Sequence, residues 1–427
     1  MKKWLMIVCA GLLAVLSACS SGSADNTNAE GKVELDFWTF WGSETRRPMI
    51  EKLIEDFNNS QDEIVVKHTY VPWGDIWTKN LAAIAAGDPP DVIVNDIRTV
   101  KIRASNNQVE DLSEWVDDDL KDSFYPHLWD AVTYNDKAYA LPFTTDTRML
   151  FYNKDAFREA GLDPDKPPRT WEELKEYSDK LTVKNDDGGY EQVGYYPNWG
   201  NFTTHDWMIN ADNGKGLMEG GKPTINTPAK KEAIQWMYDW KQELGAEAVQ
   251  NMKAEFGNEQ QDPFISGKVA MWAEIGTFYK QLQEFGGDLD YGVATMPAYN
   301  ENTEPWSTGG GFVMEIPKGA KNPEASMKFI KYLTDVEAQT YWGENNFDNI
   351  ANKKATEQIT ENLDGKGEEI FHKSMESLEH TYLSITPPEY PEYENLVNPL
   401  IDDALNGKIS VEEALDQAQK DVENSKQ

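Results

Sequence analysis

"EIVVKHTYVPWGDIWTKNLAAIAAGDPPDVIVND", residues 63–96, carries the pattern that decides the fold. Its first nine residues are rich in β-branched side chains and read as a strand. A helical run over residues 77–86 follows and stops at Gly87. Asp88, Pro89 and Pro90 then turn the chain into "DVIVND", an unbroken apolar run of the kind found in strands covered on both faces. Strand, helix and strand in that order predict a βαβ unit, and hence an α/β fold with a mostly parallel sheet.

The flanking sequence extends the alternation. Upstream, "VELDFWTFWGSETRRP" (residues 33–48) begins as a strand, with Val33, Leu35 and Phe37 alternating against Glu34 and Asp36. Trp38, Phe40 and Trp41 then crowd the strand's mouth, where small turn residues are usual, ahead of a helix marked by Ile50, Leu53, Ile54 and Phe57. Downstream, residues 137–161 hold two strand-like pieces and a helix. Thr170 and Glu173 form a capping box for "WEELKEYSDKL". Trp171, Trp236 and Trp240 lie at helical spacing on apolar faces and are expected in the core. A single helix is expected from Pro323 to near Trp342, and "KNDDGGYEQ" (residues 184–192) reads as a hairpin turn rather than a calcium loop.

The first residues read as an export signal: Met1-Lys2-Lys3, an apolar run from Trp4 to Leu16, then Ser17, Ala18 and Cys19. The run is shorter than the ~20 residues a membrane-spanning helix needs. "LSAC" resembles the lipobox of bacterial lipoproteins, which implies cleavage after residue 18, a diacylglyceryl group on Cys19 and anchorage at the outer face of the cytoplasmic membrane. Residues 19–31, rich in Ser, Asn and Gly, read as a flexible tether. The chain has two cysteines, and Cys9 lies within the signal, so no disulfide is expected in the mature body. A formal charge of −34 excludes phosphate-backbone binding, which needs a basic face.

Several blocks, in order, resemble the family 1 extracellular solute-binding proteins, the maltose-binding-protein type that serves ABC importers. They include "LDFWTFWG", "LAAIAAGDPPDVIVND", "ALPFTTDTRMLFYNKDAFREAGLD", "PRTWEELKEYSDKL", "SGKVAMWAEIG" and "GGGFVMEIPKGAKNPEASMKFIKYLTDVEAQTYW". The resemblance implies two α/β lobes closing on a ligand between them, with lobe one at residues 31–143 plus 302–347 and lobe two at 144–301 plus 348–427. It also implies a monomer that hands its solute to a membrane permease.

The same resemblance selects candidate ligand residues. Trp41, Ser43 and Glu44 match the first loop that meets ligand, with core packing the rival reading for Trp41. Asp96 and neighbouring Arg98 follow an apolar strand where relatives supply a carboxylate; a helix cap is the alternative for Asp96. Asp146 matches an acidic ligand residue at the interlobe strand, with an ion pair to Arg148 as its rival. Trp272, Glu274 and Phe278 fall where relatives place a stacking aromatic, and Trp306 with Gly310 on a loop returning to lobe one. Tyr390 stands where relatives carry a late tryptophan. From the residues themselves, Trp73 and Asp75 sit in a turn after a strand, and Trp199, His205 and Trp207 fill a loop rich in aromatic and polar groups. Indoles cover the apolar face of a sugar while carboxylates and amides hold its hydroxyl rim. The expected ligand is therefore a carbohydrate, most simply a neutral oligosaccharide. An anionic ligand such as glycerol 3-phosphate or a uronide is the alternative within the fold.

Enzyme signals are lacking. The five histidines show no zinc spacing, no G-x-S-x-G occurs, and 74 acids make any carboxylate pair uninformative. No cofactor or metal is expected, and a secreted polysaccharide-degrading enzyme is the rival from another class.

Overall fold

The computed structural model describes residues 31–427 apart from Asp187. The signal, Cys19 and most of the tether lie outside the described residues. Among the described residues no helix is long and apolar enough to cross a membrane.

The opening βαβ unit forms as the sequence predicts. Strands Val33–Thr39, Ile64–Tyr70 and Val92–Asp96 enclose helices Arg47–Ser60 and Ile76–Ala86. Gly87 ends the second helix at φ 75°, a left-handed conformation that costs glycine little. The three strands are parallel and belong to a six-stranded sheet. Its order is Asn349–Ile350, Leu141–Thr145, Gly311–Glu315, Val92–Asp96, Val33–Thr39, Ile64–Tyr70.

The sheet is less parallel than the sequence suggests. Gly311–Glu315 runs antiparallel to both its neighbours, and Asn349–Ile350 runs antiparallel to Leu141–Thr145. Leu35 and Phe37 join one core with Phe143, Phe329, Trp342 and Ile350. Trp38 points the other way, beside a small cluster of Val71, Ile76 and Ile93, and its Nε1 donates to Asp36 Oδ2 at 2.6 Å.

A second core forms around a three-stranded antiparallel sheet, Met271–Glu274, Met149–Asn153 and Tyr291–Thr295. Period-2 alternation lets the central strand serve both faces. Leu150 and Tyr152 face a core rich in tryptophan, while Met149 and Phe151 face Phe264, Phe278 and Phe347. Trp171 and Trp240 are buried there and Trp236 packs against it, as their spacing predicts. The fold is thus the expected α/β pair of lobes.

Three details differ from the sequence reading. Ile350, Ala351, Ala355, Ile359 and Phe371 pack in the first core, so that lobe extends beyond residue 347. The helix expected from Pro323 breaks into Pro323–Leu333 and Val336–Asn346, because Asp335 caps the second helix by accepting from Ala338 N. Thr170 accepts from Glu173 N, but the Glu173 carboxylate accepts from Arg169 N instead of from the cap residue's own N–H.

Candidate functional site

Three segments carry the chain between the lobes. Leu141–Thr145 ends in the first-lobe sheet, and Met149–Asn153 begins the second-lobe sheet after three intervening residues. Ser307–Gly309 leads the chain back through Gly310 into Gly311–Glu315. Thr381–Leu383 pairs in parallel with Ser307–Gly309. The crossings are stitched by side chains: the Thr147 and Thr381 hydroxyls are 2.6 Å apart, and Ser307 Oγ donates to the Arg148 carbonyl at 3.0 Å. Glycine at 309 is a steric need, since a Cβ there would lie 2.4 Å from the Asp146 carbonyl oxygen.

The carboxyl ends of the parallel strands in the first lobe, together with the start of Gly311–Glu315, form one edge of the sheet. Ligands in open α/β sheets bind beyond such an edge. Asp146 stands at its centre, where its Oδ1 accepts from Gly310 N at 2.9 Å and from Arg148 Nη1 at 2.6 Å. Arg148 also donates to the carbonyls of Thr308 and Asn201, which ties both lobes to one guanidinium. Asn201 Nδ2 in turn donates to Glu274 Oε1 at 2.8 Å. Burial pushes the Glu274 carboxyl up to about 7, against the downward pull of Asn201 and Arg148. Its side chain is partly accessible yet densely surrounded. Asp348, also raised by burial, accepts from Trp342 Nε1 at 2.8 Å and lies 3.8 Å from Arg46.

A cavity of about 500 Å³ opens between the lobes. The first lobe contributes Trp41, Ser43, Glu44 and Arg46, and the second contributes Thr277 and Lys280. Beside it on the first-lobe edge, Phe40, Trp73 and Phe312 pack edge to face with centroids 4.7 to 5.8 Å apart. Trp73 is 58% exposed, and Asp75 pairs with Lys79 on the surface. On the second-lobe side, Trp199, Gly200, Thr203, Phe256 and Trp272 line a further hollow of about 330 Å³. His205 follows that loop, and its Nε2 is buried without a partner.

Other predicted residues are spent on structure. Trp207 is fully buried and donates to the Pro197 carbonyl, and four rings pack edge-on against it. Phe278 packs with Phe151 and Phe264, and Tyr390 lies in the second core. Burial leaves none of the three a free face for ligand. Trp41 is likewise packed against Phe143 and Trp342, so it offers the cavity an edge and not a platform. Asp96 accepts from Arg98 N as a helix cap and pairs with the Arg98 guanidinium at 2.7 Å, which raises the Arg98 pKa. Arg98 lines a smaller hollow with Thr386 and Glu394. Trp306 lies over Gly214 and donates to Asn213 Oδ1 at 3.1 Å, beside His380.

The sequence reading missed Phe312, Asn201, Asn346 and Asp348 as neighbours of this site. Phe312 was in principle legible, because it follows the glycine run by one residue and its register partner is Asp96. Among the described residues no cluster of His, Cys, Asp and Glu is arranged to hold a metal ion.

A sequence profile of the family described as bacterial extracellular solute-binding protein matches residues 41–340. The maltodextrin-binding protein of Bacillus subtilis (strain 168) is 25% identical over 442 residues, spanning 98% of this chain and 96% of that protein. The sn-glycerol-3-phosphate-binding periplasmic protein of Shigella flexneri serotype 5b (strain 8401) is 25% identical across 76% of each chain. The mannobiose-bound structure of CpMnBP1 superposes with a TM-score of 0.80 at 25% identity, covering 91% of this chain and 99% of that one.

Proposed function

The chain belongs to the bacterial extracellular solute-binding proteins, and on that premise we propose that it captures a neutral oligosaccharide between its lobes and delivers it to an ABC permease. The observation that carries this reading is the cleft itself. The first core and the second-lobe helix Phe278–Phe285 face each other across a polar cavity of about 500 Å³, and three crossings join the lobes. Aromatic edges at Phe40, Trp73 and Phe312, with Asp146, Glu274 and Asn201 beyond them, match the mixed character of a sugar, one apolar face within a ring of hydroxyls. Ligand bridging the lobes favours the closed form by its higher affinity for that form.

Within this proposal Asp146, Glu274, Ser43, Glu44, Trp73, Trp199, His205 and Trp272 remain ligand groups, with Gly310 setting the crossing. The relatives and structural neighbours are binding proteins, and the reading assigns no bond-breaking step to the cleft. A lipid anchor on Cys19, a monomeric state and a membrane permease as partner complete it. The test is a panel of mono- and oligosaccharides, with glycerol 3-phosphate alongside, read by tryptophan fluorescence and thermal shift. Saturable signals from neutral oligosaccharides, without hydrolysis products, are expected; hydrolysis, or silence across the neutral sugars, overturns the reading. For the anchor, Cys19→Ala is expected to release the protein into the medium, and retention on the cells removes it.

A further inference from the structure

Two residues that line the cleft bury hydrogen-bond donors that the protein itself does not use. Trp41 is 1% exposed and Asn346 2%, and both line the 500 Å³ cavity. Neither Trp41 Nε1 nor Asn346 Nδ2 has a hydrogen-bond partner. A buried N–H left unpaired loses its hydration without compensation, and native interiors rarely tolerate it. Two at one cavity point to an acceptor that comes from outside.

The backbone beside Asn346 supplies an independent sign. Asn346 ends the helix Val336–Asn346, and Phe347 follows at φ 58°, a left-handed conformation that a bulky residue seldom takes. The second lobe holds it there. The Phe347 ring meets Tyr279 edge-on at 4.6 Å, and the Lys280 ammonium lies 5.9 Å from its centroid. Gly276 passes so near that a Cβ on it would stand 2.7 Å from the Phe347 carbonyl oxygen. Backbone strain of this kind clusters at ligand clamps, where the surroundings over-determine the conformation.

We propose that Asn346 and Trp41 form an acceptor-reading floor, where their two N–H groups donate to oxygens of the most deeply buried sugar unit. This rests on the carbohydrate reading and narrows it to an uncharged unit. The cavity sets three carboxylates, Glu44, Glu259 and Glu284, against two cations, Arg46 and Lys280, so a phosphate or carboxylate meets net like charge. Hydroxyl, ring and glycosidic oxygens are neutral acceptors and satisfy the donors without that repulsion. Both nitrogens are covered as the lobes stand. The sugar therefore meets them in a more open arrangement of the lobes, and closure seals the bonds.

The test is calorimetric titration of the full-length protein and two variants with mannobiose, maltotriose and sn-glycerol 3-phosphate. Asn346→Leu keeps the volume and removes the donor; Trp41→Phe keeps an aromatic ring against Phe143 and Trp342 and removes the N–H. A neutral sugar is expected to bind the parent protein, and each variant about 3- to 10-fold more weakly. Ligand-free Asn346→Leu is expected to melt no lower than the parent, because an unpaired polar group has gone. Parent-like affinity in Asn346→Leu overturns the proposal, as does a lower melting temperature with affinity unchanged, which marks Asn346 as structural. Parent-like affinity in Trp41→Phe removes the indole from the floor, and tighter binding of glycerol 3-phosphate than of either sugar overturns the neutral-unit assignment. If no neutral sugar in a wider panel binds the parent protein, the carbohydrate reading fails, and this proposal with it.

Discussion

Trp73 in the first lobe is 58% exposed and stands edge-on to Phe40 and Trp77, whereas Trp207 in the second lobe is fully buried and ringed by Trp171, Phe202 and Trp236. Both residues lie in aromatic stretches that the sequence marks as candidate ligand contacts. The difference lies in what surrounds them. Trp73 follows the edge strand Ile64–Tyr70 and has no layer of structure over it. Trp207 sits on the helix Thr204–Ala211, which packs against the long helix Pro228–Leu244. The second lobe, built on a three-stranded sheet, fills its volume with indoles; the first has six strands and keeps Trp73 at the rim. An aromatic-rich composition therefore does not separate platform from filling.

That contrast can be broken by substitution. Trp207→Ala is expected to destabilise the protein by about 3–5 kcal/mol, as the loss of a large buried ring does. Urea denaturation measures this, and a loss below about 1 kcal/mol would show the second core to be loosely packed. Asp146→Ala is expected to weaken sugar binding at least ~10-fold, roughly 1.4 kcal/mol, while the protein stays folded. Arg148 keeps the Thr308 and Asn201 carbonyls as acceptors in that variant. Unchanged affinity would take Asp146 out of the site.

Glu274 gives a pH signature. Its folded-state pKa, raised by burial to about 7, lies above the ordinary value of 4.5, so the native protein holds a proton that the unfolded chain has released. Stability from this group therefore falls as pH rises from about 4.5 to about 7, and the penalty is complete above that. Glu274→Gln is expected to flatten this slope and to gain about 1–3 kcal/mol relative to the parent at pH 8. Parallel melting curves at pH 5 and pH 8 read the difference, and an identical pH slope in both proteins would refute the assignment. The smallest effect belongs to Trp73→Ala: under about 1 kcal/mol in stability, with a measurable loss of sugar affinity. A large drop in melting temperature would make Trp73 a core residue after all.

The sequence carried the fold because local signals and tertiary packing agree. The βαβ alternation, the Gly87 stop and the Asp88-Pro89-Pro90 turn all survive in the structure. It carried the site only in part. Asp146 follows one strand at the crossing and Glu274 ends another, places that order along the chain reveals. Trp207, Phe278 and Tyr390 differ from ligand aromatics only through neighbours distant in sequence, which one chain does not display. Asn346 and Phe347 stayed invisible for another reason: a helix that breaks at Asp335 shifts the following turn into the cleft, and nothing local to that turn announces it.

The path of the chain through the first-lobe sheet also sets its timetable of assembly. Gly311–Glu315 is wedged between Leu141–Thr145 and Val92–Asp96, so those two strands have no shared neighbour until some 160 further residues have been delivered. A half-exported polypeptide therefore holds an incomplete sheet, and its ordering waits on a late, long-range pairing of the kind that folds slowly.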